Sequence, residues 1–283
     1  MTKNTGENRR EEQEMLRAFW QSKLALCATV VGSWALTAVI WVRRFGNGPL
    51  YIPIVASILM LALGVMLGRL LGNLVASNRN VKVLGYLHVD LDPEKFLAAY
   101  GDVPGKMKAG CLDQAVAYTY LADGCAAKGD FAQAIQLMGR PELTSIDAGK
   151  QTVALKGMCL QKLCGYQISA GQGKEAKKTL DELEGLIAAN PDAKGELLSN
   201  LKRSARLLQN RLAAAGNKQV ETDWLEAQLT TASYKLLRLE LWQALAQTAL
   251  RDGEGDKAQK YLQKLAEEGG KTWYAAWAKE RLA

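Results

Sequence analysis

Two uncharged apolar runs near the N-terminus constrain this chain more than any other feature of its sequence. Leu24–Val42 and Leu50–Gly68 are each 19 residues long. A helix of that length rises roughly 28 Å, which matches the hydrocarbon thickness of a bilayer. The runs contain eight and ten Leu, Ile or Val residues, respectively, and these side chains favour membrane insertion. The sequence therefore predicts two transmembrane helices, at about 24–42 and 50–68.

The short segment RRFGNGP between the two runs predicts a hairpin with both ends on one side of the membrane. Eight basic residues flank the hairpin, against two in its turn: Lys3, Arg9, Arg10, Arg17, Lys23, Arg69, Arg79 and Lys82. The positive-inside rule then places both flanks in the cytoplasm. We expect a cytoplasmic segment at 1–23, the hairpin at 24–75, a connector with a short helix at 76–107 and a helical domain at 108–283.

Three glycines spaced four apart give the second span one smooth face. Gly64, Gly68 and Gly72 could form a homo-oligomer contact, or they could pack against Ala28 and Gly32 of the first span. Packing within the hairpin is favoured because the first span is already an adjacent helix.

Charge and cysteine content indicate a membrane protein without a metal or nucleic-acid site. Residues 1–76 carry 8 basic and 4 acidic side chains of a chain whose formal charge is +7, so the basic excess surrounds the apolar runs. No basic stretch is interleaved with aromatic residues, as nucleic-acid binding would require. The five cysteines lack CxxC spacing, so we expect buried thiols and neither a metal nor a cofactor.

The region after the hairpin reads as a series of helices. Short breaks such as SAGQGK, ANPD and RDGEGD separate segments whose apolar residues recur three and four apart. Asp92 followed by Pro93 predicts a helix start, since Asp caps the N-terminus and Pro suits the first turn. His88, Asp90 and Asp92 could instead form a metal site, but they alternate and the chain has a single histidine. The fold class predicted is all-α.

A pattern of small and large residues recurs within this helical region. In the first copy, Tyr118, Leu121, Ala122, Cys125, Gly129, Phe131 and Ala134 occupy offsets 0, 3, 4, 7, 11, 13 and 16. Trp242, Leu245, Ala246, Ala249, Gly253 and Ala258 repeat these offsets except at offset 13, where the chain has a glycine, and Leu160, Leu163, Cys164, Gly171 and Ala176 form a weaker copy. The glycine of each copy is expected to turn the chain between two helices, so Gly129-Asp130-Phe131 is interpreted as a hinge and not as a site of chemistry.

The pattern resembles the tetratricopeptide repeat (TPR), although the anchor alanines lie 42 and 82 residues apart whereas the family repeat has about 34 residues. Those intervals indicate a degenerate copy at about 194–232. The resemblance implies a TPR-like α-solenoid whose concave groove binds a peptide or helix of another protein. It implies no enzymatic activity.

Residues lining the groove follow from this resemblance, because the first helix of each repeat faces it. The partner-binding residues implied are Thr119, Asp123, Gln161, Gln243, Gln247 and Arg251, with Val116, Ala126, Met158, Ser169 and Glu240 beside them. A basic stripe of Lys202, Arg203, Arg206 and Arg211 is a second candidate surface, for acidic lipid or an acidic partner. Trp273 and Trp277 are expected to cap the last repeat.

The function expected is that of a membrane-anchored adaptor that binds proteins at the cytoplasmic surface. The alternatives are an accessory subunit of a transport or envelope complex and a hydrolytic enzyme. The sequence contains no GxSxG, P-loop or HExxH motif, which disfavours an enzyme. No catalytic residue is assigned.

Overall fold

The chain forms two compact units, Met1–Leu84 and Gly85–Ala283. The computed structural model describes residues 28–36, 39, 43, 58–59, 62–67, 70, 80–140, 143, 149–193, 195–216, 218–232 and 234–283.

In the first unit, the described parts of both apolar runs are helical. Residues 28–36 and 62–67 form helical segments, and they touch each other at Gly64. A Cβ at Gly64 would lie 3.2 Å from the Thr29 carbonyl oxygen and would clash with the Ser33 hydroxyl. The contact therefore falls at Thr29 and Ser33, one position along from the predicted Ala28 and Gly32. Ser33 fits there because its hydroxyl folds back and donates to the Thr29 carbonyl oxygen at 2.6 Å.

No helix within the described residues is both long enough and apolar enough to cross a membrane. Much of each predicted span lies outside the described residues, as do Gly68 and Gly72.

The second unit is built from helices, and its described residues include no strand. This confirms the all-α prediction. The helices are α1 (Pro93–Tyr100), α2 (Val103–Lys106), α3 (Leu112–Lys128), α4 (Phe131–Met138), α5 (Gly149–Ser169), α6 (Gly173–Ala188), α7 (Gly195–Ala215), α8 (Thr222–Thr231), α9 (Lys235–Arg251), α10 (Gly255–Glu268) and α11 (Trp273–Leu282).

Asp92 begins α1 as predicted. Its carboxylate accepts from the Lys95 backbone N–H at 3.1 Å, and Pro93 occupies the first turn. Asp92, the last of the three candidate metal ligands, therefore caps a helix. Within the described residues, no three His, Cys, Asp or Glu side chains cluster closely enough to hold a metal ion.

The longer helices contact one another in a fixed order. One series of helices makes successive contacts, each helix with the next: α3, α5, α7, α9 and α11. The helices between them each contact the helix that follows in the chain: α4, α6, α8 and α10. Helix α11 also contacts α3, so the series returns to its first member. The first and last helices of this series, α3 and α11, are therefore in direct contact. The surface that the five helices enclose is partly covered.

The three predicted turns share one backbone conformation. Gly129, Gly171 and Gly253 have φ angles of 98°, 75° and 73°, in the left-handed region that favours glycine. In each case the next residue donates its backbone N–H to the carbonyl five residues back, as in Asp130 to Cys125. This is the hydrogen bond of a Schellman C-cap. The interpretation of Gly129-Asp130-Phe131 as a turn between helices is thus confirmed.

The small residues of the repeated pattern occupy the helix–helix contacts. Ala134 and Ala176 are fully buried, and Ala258 is 2% exposed. An alanine at these positions lets two helices approach closely, because a larger side chain would hold the backbones apart.

Candidate functional site

Seven polar side chains from five helices meet on the covered surface of the second unit. We call this set the inner polar cluster, and its members are Asp123, Lys162, Tyr166, Ser169, Arg211, Glu240 and Tyr274. They come from α3, α5, α7, α9 and α11, the helices that form the closed series of contacts.

One half of the inner polar cluster centres on Asp123 of α3. Its carboxylate pairs with the Lys162 ammonium and accepts a hydrogen bond from the Tyr166 hydroxyl at 2.5 Å. Burial and the Asp123 charge together raise the pKa of Tyr166 well above its ordinary value. Tyr166 therefore stays protonated and acts as a hydrogen-bond donor that joins α5 to α3.

The other half centres on Arg211 of α7. Its guanidinium is 5% exposed and lies 3.0 Å from the Glu240 carboxylate, and it donates to the Ser169 hydroxyl at 3.1 Å. Tyr274 of α11 interacts electrostatically with the same guanidinium. Burial lowers the pKa of Arg211, but the Glu240 charge and the smaller contributions of Tyr274 and Cys164 together outweigh burial, so the net direction is upward. A buried cation of this kind is tolerated because an anion and further acceptors surround it.

His88, the only histidine of the chain, lies beside the first half of the cluster. Burial lowers its pKa; the Asp123 carboxylate opposes that shift, and the Lys162 ammonium adds to it. Its ring packs edge-on against Tyr120, with the ring centroids 6.5 Å apart. The imidazole is therefore neutral at pH 7.

The inner polar cluster is balanced in charge, and its tyrosines and the neighbouring buried thiols are not activated as nucleophiles. The two carboxylates and two cations balance in charge, and the tyrosine hydroxyls are protonated. Burial raises the pKa values of the Cys125, Cys159 and Cys164 thiols to about 11, so none is an activated thiolate at neutral pH.

The six partner-binding residues implied by the sequence do not form a single site. Asp123 belongs to the inner polar cluster. Thr119 is 1% exposed and donates to its own helix at the Val116 carbonyl, and Gln243 is 4% exposed. Both side chains are thus covered in this conformation.

The remaining three residues are more accessible. Gln161 and Gln247 are half-buried. Arg251 is directed away from the cluster: it pairs with Asp252 and donates to the Lys218 carbonyl oxygen at 2.6 Å.

Lys162 and Tyr166 were missed by sequence reasoning, although a signal existed. They lie four and eight residues after Met158, which the repeat pattern places on the groove-facing side of that helix. Residues spaced by four share a helix face, so both could have been included. Tyr274 had no comparable signal because its role depends on a contact between distant parts of the chain.

The predicted basic stripe on α7 is wrong at one of its four positions. Lys202, Arg203 and Arg206 are exposed, whereas Arg211 is buried in the inner polar cluster. At 3.6 residues per turn, a separation of five turns the helix by about 140°, so Arg211 cannot share the face of Arg206.

The exposed part of the stripe borders an outer groove of about 640 Å³ between α6 and α7. Ile187 and Leu198 contribute apolar lining, and Lys202 and Arg206 lie at its edge. Arg206 pairs with Glu221 at 2.7 Å and stacks on the Trp224 ring at 4.7 Å from its centroid. The arginine is therefore already engaged within the chain.

No family model, curated protein or solved structure matches the chain. The class of protein that the fold and site define is an all-α protein with a charge-balanced polar cluster enclosed by its helices.

Proposed function

We propose that the chain is a non-enzymatic, membrane-anchored adaptor with a TPR-like α-solenoid. The predicted hairpin at 24–42 and 50–68 holds the helical unit at the cytoplasmic surface, where it binds a protein or peptide. Anchoring of this kind raises the effective concentration of the helical unit near membrane partners.

One observation carries the repeat part of the proposal: three separate turns have the same geometry. Gly129, Gly171 and Gly253 all adopt left-handed φ angles and all end their helices with the same C-cap hydrogen bond. Since each turn is followed by a buried anchor alanine, the shared geometry supports a repeated structural unit.

The membrane part is supported by apolar side chains in the first unit. Trp34, Ile58 and Met66 are 61%, 62% and 65% exposed. Several exposed large apolar groups on neighbouring helical segments are unfavourable in water and favourable against lipid.

Proximity labelling tests the adaptor function directly. A labelling enzyme is fused to the C-terminus of the full-length chain and, as a control, to residues 1–84, which keep the predicted hairpin but lack the helical unit. We expect a set of cytoplasmic proteins labelled by the full-length fusion and not by the control. Substituting the half-buried Gln161 and Gln247 by alanine should reduce labelling of that set, whereas Lys177→Ala on the outer side of α6 should not.

Identical labelling by the full-length fusion and the 1–84 control would contradict the proposal, because the helical unit would then contribute no partner. Labelling of periplasmic or extracellular proteins would contradict the predicted orientation alone.

A further inference from the structure

We propose that a latch closes the helical unit and opens locally, while the remaining helices stay folded, to expose the inner polar cluster. The latch consists of residues 89–92, just before α1, and residues 270–273, just before and at the start of α11. Its use in partner binding rests on the proposed adaptor function, but its opening can be measured without any partner.

Leu91 is the strained element of the latch. It has a φ angle of 52°, the one positive value among the described residues other than glycine. A left-handed backbone is disfavoured for a leucine. Nevertheless the side chain is 2% exposed and lies in the apolar core formed by α7 to α11. The Leu91 side chain inserts among residues that are distant in the sequence, and this packing holds its backbone in the unfavourable conformation. Backbone strain of this kind is expected where a protein changes conformation.

The polar contacts across the latch are few and lie at the surface. The Lys271 backbone N–H donates to the Leu91 carbonyl oxygen at 3.0 Å, and the Lys271 ammonium pairs with Asp92 at 2.5 Å. Nearby, the Lys235 ammonium donates to the Val89 carbonyl oxygen at 2.6 Å. The Lys271 side chain is 68% exposed, whereas Asp92 is 16% exposed. Because water reaches the ammonium, the pair stabilises the closed latch only weakly and does not prevent opening.

An aromatic contact completes the closure on the side of α3 and α4. The Trp273 ring packs edge-on against Phe131, with the ring centroids 5.0 Å apart. It also covers Gly129, where an added Cβ would lie 2.9 Å from the Trp273 ring. Gly129 therefore serves two purposes: it turns the chain and it leaves room for the tryptophan.

The latch can open separately because it joins segments that are distant in the sequence. Lys271 and Asp92 are 179 residues apart, whereas α3 and α4, α5 and α6, and α9 and α10 are joined by short capped turns. Opening breaks the contacts described above together with those of α11 with α3 and α9, and it leaves the capped pairs intact. Because Tyr274 follows Trp273 directly and interacts electrostatically with Arg211, displacement of α11 uncovers the second half of the inner polar cluster.

Hydrogen exchange of the full-length chain in detergent micelles tests the latch. Amides in 86–95 and 269–276 are compared with those in 176–186, which surround the buried Leu180 and Leu183. In the unmodified chain, we expect the two latch segments to exchange faster than 176–186, since they open without global unfolding.

Leu91→Ala is the main variant, and Leu225→Ala is its matched control. Both remove a leucine buried in the same apolar core, but only Leu91 lies in the latch. Leu91→Ala should accelerate exchange of the latch segments by roughly thirtyfold or more and leave 176–186 unchanged. Leu225→Ala should not accelerate the latch segments selectively.

Equal acceleration of the latch and of 176–186 by Leu91→Ala would overturn the proposal, as would equal protection of both regions in the unmodified chain. If Leu91→Ala fails to fold, Lys271→Met provides a milder test, because it removes only the exposed pair with Asp92. It should accelerate the latch alone by about two- to fivefold, and unchanged exchange there would also overturn the proposal.

Discussion

Single residues determine where the helices of this chain end and how closely they approach. Gly129 and Gly253 adopt the same left-handed conformation and close the same type of cap, but their surroundings differ. An added Cβ at Gly253 would meet no atom within 4 Å, whereas one at Gly129 would press on the Trp273 ring. The same substitution should therefore have unequal effects at the two positions.

Alanine substitution separates the backbone effect from the steric one. We expect Gly253→Ala to lower the free energy of unfolding by about 1 kcal/mol, the cost of a left-handed alanine. Gly129→Ala should lower it by about 2 to 3 kcal/mol because the ring must also move. Chemical denaturation monitored by circular dichroism measures both values, and equal losses would show that Trp273 does not cover Gly129.

His88 should make stability depend on pH in a defined window. Burial holds its pKa below the ordinary value of 6.5, so the unfolded chain takes up a proton first as the pH falls. Stability is therefore complete above about pH 6.5 and decreases as the pH drops from there towards the lower pKa of the folded state. Replacing this single histidine by glutamine should remove the decrease in that window. A pH profile unchanged by His88→Gln would refute the assignment.

At the scale of helices, neighbouring helices are held together by small residues where they cross and by the buried Arg211–Glu240 ion pair. Ala134 is fully buried, whereas Ala132, two positions earlier in α4, is exposed. The two alanines are a matched pair on one helix, because they differ in burial and not in residue type.

Replacing each alanine by leucine should change the free energy of unfolding by unequal amounts. Ala134→Leu should destabilise the unit by about 1 to 3 kcal/mol, since the extra carbons must displace the neighbouring helix. Ala132→Leu should change stability by no more than about 0.5 kcal/mol. Thermal or chemical unfolding of the two variants compares them, and a neutral Ala134→Leu would mean that the anchor position is not tightly packed.

The Arg211–Glu240 pair links α7 to α9 and should be sensitive to the loss of its anion. Glu240→Gln leaves a guanidinium that is 5% exposed without its counter-charge. We expect a cost of about 3 kcal/mol, at the low end of the range for buried pairs because Glu240 itself is 32% exposed. Asp181→Asn, which breaks the exposed pair with Lys177, should cost less than about 1 kcal/mol. Similar losses in the two variants would argue against a buried pair.

Local features of this fold could be predicted from the sequence, and long-range ones could not. The turn glycines, the anchor alanines and the Asp92 cap were predictable because each is fixed by residues within a few positions. The strained Leu91 and the return of Trp273 to Phe131 depend on contacts across most of the chain, for which no local pattern exists. Burial of Thr119 and Gln243 has the same origin, since helix–helix closure covers them.

At the scale of the whole molecule, we propose a bilayer-inserted hairpin followed by a helical unit that presents a binding surface. The two apolar runs lead to the prediction of the hairpin, and the repeated turns support the helical unit as a binding module. The adaptor role needs both parts, because an unanchored helical unit would gain no local concentration at the membrane.

Alkaline extraction of membranes is the most direct test of that account. Membranes from cells that produce the full-length chain are washed with carbonate at high pH, in parallel with cells that produce residues 85–283 alone. We predict that the full-length chain stays in the membrane pellet while the 85–283 fragment appears in the soluble fraction, because only the former contains the two apolar runs. Release of the full-length chain into the alkaline supernatant would contradict the membrane anchor, and with it the proposed function.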